Sequence, residues 1–185
     1  MNWFTLGILL WITLGLDVGF RDTFQLGTLA IAPRCLPLLA VFVALWATPV
    51  QAAGVCLLIG LLMDITHTVP TESGRATVVF GAYAIGCLGA ASFVLHFRSV
   101  LLRRNPVTFV VLCFVCTLLM EIVQLIFLRV RVQYDDLVVL GLGRELGQRL
   151  GTAGLTALLA VVAGPFFAII APVLGLDLSH GGRRR

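Results

Sequence analysis

The chain has 185 residues, of which 59% are hydrophobic and 12% are charged, and its formal net charge is +4 at pH 7. Because a soluble domain carries about 25% charged residues, this composition excludes the ordinary soluble class. The basic residues are all arginines in short segments between apolar runs, which favours signals for membrane topology over nucleic-acid binding. We therefore expect an integral membrane protein.

Apolar runs of suitable length for membrane crossing lie between the polar clusters, since about 20 helical residues cross a hydrocarbon core of about 30 Å. The runs predict an all-α fold, with residues 1–185 forming a single polytopic membrane domain. About six transmembrane helices would form one bundle. The expected spans are 3–20, 26–46, 50–65, 76–97, 106–128 and 150–176. The first run lacks a basic segment and a cleavage site, so we expect it to be retained.

Two prolines lie near predicted span ends. Pro33 lies near the start of the second span, where a proline opens a helix or kinks it. Pro49 follows Thr48 in a very short connection, so the second and third spans should be antiparallel neighbours.

The third span ends in Gly60-Leu61-Leu62-Met63-Asp64, which puts a carboxylate at the edge of an apolar run. A charge inside or at the edge of hydrocarbon costs roughly 2.5–3.5 kcal/mol, so Asp64 needs a partner. We expect it to cap backbone amides around residues 66–73 or to pair with Arg75.

Small residues recur every four positions in two segments. In the fourth span Ala82, Gly86 and Ala90 share one helix face, where a second helix backbone can approach closely. A charged segment before the last span has glycines at the same spacing, at positions 143, 147 and 151. Either face is a candidate site for the helix of a partner.

Glu121 and Gln124 lie within the fifth span, one helical turn apart, and therefore project from one face. Three interpretations follow. The pair forms a polar site in the bundle interior, Glu121 pairs with Arg34 or Arg75 from another segment, or the pair makes a structural hydrogen bond that locks helix packing.

No catalytic constellation stands out. The five cysteines lie in apolar runs, which predicts small buried side chains and not a disulfide framework. The three histidines are scattered and make no metal-binding spacing. We expect a protein that is not an enzyme and that needs no cofactor or metal.

An even number of spans puts both termini on one side of the membrane. The arginines at 98, 103 and 104 and the arginine tail at 183–185 share that side. They form dense clusters close to span ends, so we expect both termini in the cytoplasm.

Several short motifs resemble those of the rod shape-determining MreD family of bacteria. Ala32-Pro33-Arg34 opens the second span and Ala47-Thr48-Pro49 closes it. Gly60 to Asp64 resembles the family's Gly-x-x-x-Asp ending, and Gly74-Arg75 resembles the start of its next segment. Glu121 in the fifth span is also similar, and the resemblance covers roughly residues 25–130.

This resemblance implies a non-catalytic scaffold of the cell-elongation complex in the bacterial cytoplasmic (inner) membrane. The scaffold would bind MreC directly and would act indirectly with RodA, a penicillin-binding transpeptidase and MreB in peptidoglycan synthesis and cell shape. The implied fold is similar to the substrate-binding subunits of energy-coupling-factor transporters.

Two alternatives stay open. The fold analogy also fits a small-solute-binding transporter subunit with a polar cavity near Glu121 and Gln124. The series Glu121, Gln124 and Arg129 with Asp135 and Asp136, followed by spaced glycines, is also similar to VanZ-like membrane proteins.

Overall fold

The computed structural model describes residues 2–23, 31–70, 76–98, 106–134 and 141–175. Within these ranges the chain forms six helices and one hairpin of two short strands. The helices, α1 to α6 in chain order, are Trp3–Thr23, Cys35–Trp46, Pro49–Thr66, Ala82–Phe97, Pro106–Arg131 and Leu142–Ile170. Between α3 and α4, β1 (Thr68–Pro70) pairs antiparallel with β2 (Ala76–Val78).

Four of the helices, α1, α3, α5 and α6, are long and apolar enough to cross a membrane. The other two are apolar but shorter, with 12 residues in α2 and 16 in α4. The chain is therefore an all-helical, membrane-embedded protein.

Helix α2 forms the centre of the core. Every residue from Cys35 to Leu45 is buried, as expected for a helix that is apolar on all sides. All five other helices pack against it. The ring of Phe42 stacks on that of Phe167 in α6, with centroids 4.9 Å apart.

Pro49 is the first residue of α3, a position where the missing amide hydrogen is not needed. The predicted antiparallel packing of the second and third spans is confirmed. The Sγ atom of Cys56 in α3 lies 3.6 Å from the backbone oxygen of Ala40 in α2.

Helices α3 and α4 approach closely at Gly60. A Cβ atom at this position would lie 2.4 Å from the Cα atom of Ala84, so only glycine fits without a backbone shift. Just before α4, Gly81 has φ +93°, a left-handed conformation that glycine adopts without strain.

The small-residue face of α4 packs against α5 of the same chain. A Cβ atom at Gly86 would lie 3.1 Å from the Cα atom of Met120. Ala82 and Ala90 are buried as well. The predicted close helix approach is confirmed, but the chain's own α5 occupies this face.

Three predicted spans need correction. In the span predicted over 26–46, residues 26–30 lie outside the described residues, residues 31–34 with Pro33 are non-helical, and the helix begins at Cys35. In the span predicted over 76–97, Ala76–Val78 is a strand and the helix begins at Ala82. The last helix covers Leu142–Ile170 and not 150–176, so it includes the charged segment that we expected to precede it.

The two ends of the described chain meet. The amide of Asn2 donates a hydrogen bond of 2.9 Å to the carbonyl of Leu174. Both ends therefore lie at the same end of the fold, as an even number of antiparallel helices requires.

Replacing Gly60 by alanine tests the α3–α4 contact. We expect Gly60→Ala to destabilise the fold by about 1–3 kcal/mol, because the methyl group forces the two backbones apart. The measurement is thermal unfolding of the purified protein in detergent.

Gly54→Ala in the same helix is the matched control. No atom would lie within 4 Å of a Cβ there, so helix propensity should leave the stability unchanged or raise it by up to about 1 kcal/mol. Equal unfolding temperatures for both variants would contradict the packing account.

Candidate functional site

A buried polar cluster lies inside the bundle, where four segments meet. Its members come from the segment before α2, the start of α4, the middle of α5 and the start of α6. Tyr83, Glu121, Gln124, Glu145 and Arg149 are each at most 8% exposed. Buried polar groups at this density need partners, because an unpaired charge in an apolar interior is costly.

Glu121 lies between two guanidinium groups. Its Oε1 atom is 2.8 Å from Nη1 of Arg34, and its Oε2 atom is 2.7 Å from Nη1 of Arg149. The Arg34 contact is an ion pair and not a directed hydrogen bond, whereas Arg149 donates to the carboxylate and, at 2.9 Å, to the Glu121 carbonyl. The interpretation that Glu121 pairs with Arg34 is therefore confirmed.

Tyr83 and Gln124 extend this contact. Nη1 of Arg34 donates to the Tyr83 hydroxyl at 2.7 Å, and that hydroxyl donates to Oε1 of Gln124 at 2.7 Å. The same Gln124 oxygen accepts a hydrogen bond from Arg149. Gln124 thus acts as an acceptor shared between α4 and α6.

Glu145 connects the network to Arg129, whose side chain is more exposed. Its carboxylate accepts from Nη2 of Arg149 at 3.4 Å, one turn along α6, and pairs with Nη2 of Arg129 at 3.1 Å. Five charges therefore alternate in sign along one path, which we call the charge chain: Arg34, Glu121, Arg149, Glu145 and Arg129. Alternation places each carboxylate between two cations, which lowers the repulsion between them where the dielectric constant is low.

Burial disfavours the charged guanidinium of Arg34, but Glu121, Tyr83 and Asp17 favour it more strongly. Arg34 therefore stays positively charged at its end of the charge chain.

Two aspartates cap the helices that follow them. Asp17 of α1 accepts the amides of Cys35 and Leu36 at 2.6 and 3.4 Å, at the start of α2. A carboxylate suits a helix amino terminus because it pairs with free amides and with the positive end of the helix dipole.

Asp64 of α3 does the same for α4. It accepts the amides of Gly81, Tyr83 and Ala84 at 2.9, 2.8 and 3.3 Å. The amides that Asp64 accepts among the described residues belong to the start of α4 and not to residues 66–70, because the strand pair lets the chain return and brings α4 to it. Residues 71–73 of the expected loop lie outside the described residues. The alternative partner, Arg75, lies outside the described residues, as does Gly74.

His67 lies beside Tyr83, with ring centroids 5.0 Å apart. Burial lowers the pKa of His67 well below its usual value, and the positive charges of Arg34, Arg21 and Arg149 lower it further. The imidazole is therefore neutral at physiological pH.

Among the described residues, no group of three His, Cys, Asp or Glu side chains is placed to hold a metal ion. All five cysteines are buried and free, as predicted for small apolar side chains. The polar groups are engaged with one another, an arrangement that holds helices in place.

The structure brings Glu121 and Gln124 into this cluster and places Pro33 next to Arg34. Arg149 and Glu145 were not predicted, although their four-residue spacing among glycines was a usable signal of a helix face. Tyr83 carried no signal at all in the sequence. Its role depends on Asp64, which holds its amide.

Comparison with known proteins gives no relative. No family model matches the chain, and neither the search of curated proteins nor that of solved structures finds a match.

A double-mutant cycle tests the central ion pair. Breaking a buried pair on one side costs about 3–5 kcal/mol, because it leaves an uncompensated charge. We expect Glu121→Gln and Arg149→Gln each to cause a loss of this size in unfolding free energy. The double variant should lose clearly less than the sum of the two, and strict additivity would contradict a direct pair.

His67 predicts a pH dependence of stability. The unfolded chain binds a proton near pH 6.5, whereas the folded histidine does not, so folding stability should fall as the pH drops below about 6.5. The loss is at most about 1.4 kcal/mol per pH unit. Thermal unfolding between pH 7.5 and 5.5 measures it, with His67→Gln as the control that lacks this slope. Parallel pH profiles for both proteins would show that His67 does not titrate this way.

Proposed function

We propose that the chain is a membrane scaffold of the MreD type, which crosses the bacterial cytoplasmic membrane six times and binds MreC. In this proposal it supports cell-wall synthesis by positioning other proteins and performs no reaction itself. The observation that best supports this proposal is that both residues of the Gly-x-x-x-Asp motif have a structural role. Gly60 lets α4 approach α3, and Asp64 caps α4.

The charge chain also supports a scaffold. Its polar groups contact one another through the side chains of Arg34, Glu121 and Arg149, which come from three separate segments. Such a network stabilises one arrangement of helices, which a protein that presents a binding surface needs.

Apolar side chains cover the outside of the bundle and face lipid or a partner helix. In α1, Phe4 and Trp11 are 78% and 77% exposed. In α6, Gly143 and Gly147 of the predicted glycine face are exposed, as is Gly154, and a Cβ atom at each would meet nothing within 4 Å. The third predicted glycine, Gly151, packs within the chain, because a Cβ atom there would lie 2.9 Å from Cδ1 of Ile31. Helices associate in membranes through such small residues, so we assign the MreC-binding face to α6.

The proposed topology has α2 and α4 as additional, shorter spans. Both chain ends then lie on the cytoplasmic side, as does Arg98 at the end of α4. The positive-inside rule supports this orientation. We retain the likeness to energy-coupling-factor subunits as part of the proposal.

A second candidate is a small-solute-binding subunit of a transporter. A cavity of about 230 Å³ beside Arg34 favours it. This cavity is not at Glu121 and Gln124, where we expected it, since the charge chain occupies that position. Co-purification of an energising ATPase would support this candidate over the scaffold.

Affinity purification of the tagged protein in mild detergent tests the scaffold directly. We expect MreC among the recovered proteins, and its absence together with the presence of a transport ATPase would overturn the proposal. We expect Gly147→Leu to reduce MreC recovery several-fold without lowering the unfolding temperature, because the side chain blocks only the α6 face.

Gly54→Leu, on an equally open position of α3, is the matched control and should recover MreC normally. Gly86→Leu is unsuitable, since it would disrupt the contact with Met120 inside the chain. Equal recovery with Gly147→Leu and Gly54→Leu would rule out α6 as the binding face.

A further inference from the structure

A polar cavity lies beside Arg34, at one end of the charge chain and close to the ends of α1 and α3. Its volume is about 230 Å³, enough for several water molecules or a small polar group. The described residues that line it are Asp17, Arg21, Ala32, Pro33, Arg34, His67 and Thr152. The side chains of the charge chain do not fill this cavity, and Arg34 is the one member among the described residues that line it.

Both guanidinium groups in the wall have spare donors. Arg34 uses only Nη1 towards Tyr83 and Glu121, so no described residue accepts a hydrogen bond from its Nη2 or Nε. Arg21 uses only Nη1, which donates to the carbonyl of Thr66 at 2.9 Å. Guanidinium groups with free donors match the paired oxygens of a phosphate or a carboxylate.

The charge balance around the cavity favours an anion. Among the described residues, the wall contains two guanidinium groups and one carboxylate, that of Asp17. The pKa of His67, which also lines the cavity, is lowered by burial and by three arginines. His67 therefore contributes no charge of its own to the cavity wall.

Asp17 adds a second recognition element. Its Oδ1 atom caps α2, whereas no described residue donates a hydrogen bond to its Oδ2 atom. A ligand that combines an anionic group with a hydrogen-bond donor, such as an ammonium or a hydroxyl group, fits such a wall. A bare anion leaves the Asp17 oxygen without a partner.

The cavity lies where non-helical backbone enters the bundle. Helix α2 is only about 18 Å long, so in the six-span topology its amino terminus lies below the membrane surface. Non-helical backbone at such depth is stable only when it is buried in protein or lines a polar cavity. Here the Arg34 amide donates to the Thr156 hydroxyl at 3.1 Å, and residues 32–34 line the cavity.

We propose that this cavity binds the phosphate group of a phospholipid headgroup, held by Arg21 and Arg34, with Asp17 accepting from the ammonium or hydroxyl group of the same headgroup. A free phosphate offers the same anionic chemistry, but the membrane supplies phospholipid next to the helix ends at high local concentration. The inference rests on the cavity and on the six-span topology of the proposed function, but not on the binding of MreC.

Thermal unfolding of delipidated protein in detergent tests the proposal, because a ligand that binds only the folded state raises the unfolding temperature. The probes are dioctanoyl phosphatidylethanolamine, dioctanoylglycerol (which lacks a phosphate) and inorganic phosphate. We expect only the phosphatidylethanolamine to raise the unfolding temperature, with saturation. Native mass spectrometry should show one retained phospholipid per chain.

Two variants locate the site. Arg21→Gln removes a cation from the wall, and Ala32→Leu fills space while every charge stays in place. Each should raise the lipid concentration at half-maximal effect by about tenfold or more. Arg98→Gln is the matched control, because Arg98 also donates to a helix-end carbonyl, that of Ala47 at 3.1 Å, but lies outside the cavity wall.

Several results would overturn the proposal. An equal effect of dioctanoylglycerol would show that the phosphate is not recognised, and an equal effect of inorganic phosphate would identify a free anion as the ligand. Unchanged lipid binding by Arg21→Gln and Ala32→Leu would place the lipid elsewhere. No effect of any probe on the wild-type protein would exclude the site.

Discussion

The carboxylate of Glu121, held between the guanidinium groups of Arg34 and Arg149, is the interaction on which the rest of this structure depends. Neither arginine is stable in an apolar interior without a counter-charge, and Glu121 serves both. One side chain in α5 thereby determines where the segment before α2 lies and how α6 is rotated. Glu145 makes a similar contact, because its carboxylate pairs with Nη2 of Arg149.

Asp17 and Asp64 satisfy the free backbone amides at the starts of the two short helices, α2 and α4. A helix that begins inside a membrane protein exposes free amides where water is scarce. In both cases the preceding helix supplies the carboxylate that accepts them. Asp64 also fixes the backbone of Tyr83, whose hydroxyl joins the charge chain, so the cap and the ion network act as one structural unit.

This organisation separates stability from binding. The charged side chains of the charge chain are engaged in holding helices together. The two proposed binding sites, the exposed face of α6 and the cavity beside Arg34, use different residues. The proposed partner binding and the proposed lipid binding can therefore be tested with separate substitutions.

Length and apolarity alone determined the helical, membrane-embedded class, because few polar residues interrupt the runs, and they located α1, α3 and α5 closely. The pairing of Glu121 with Arg34 was one of three interpretations, since an isolated intramembrane charge requires a partner but does not name it. Only the tertiary structure decided that α2 begins at Cys35, that α6 extends back to Leu142 and that Asp64 caps α4. Hydropathy places the edge of a span where polar residues begin, whereas Glu145 and Arg149 stay helical because partners on α5 neutralise them.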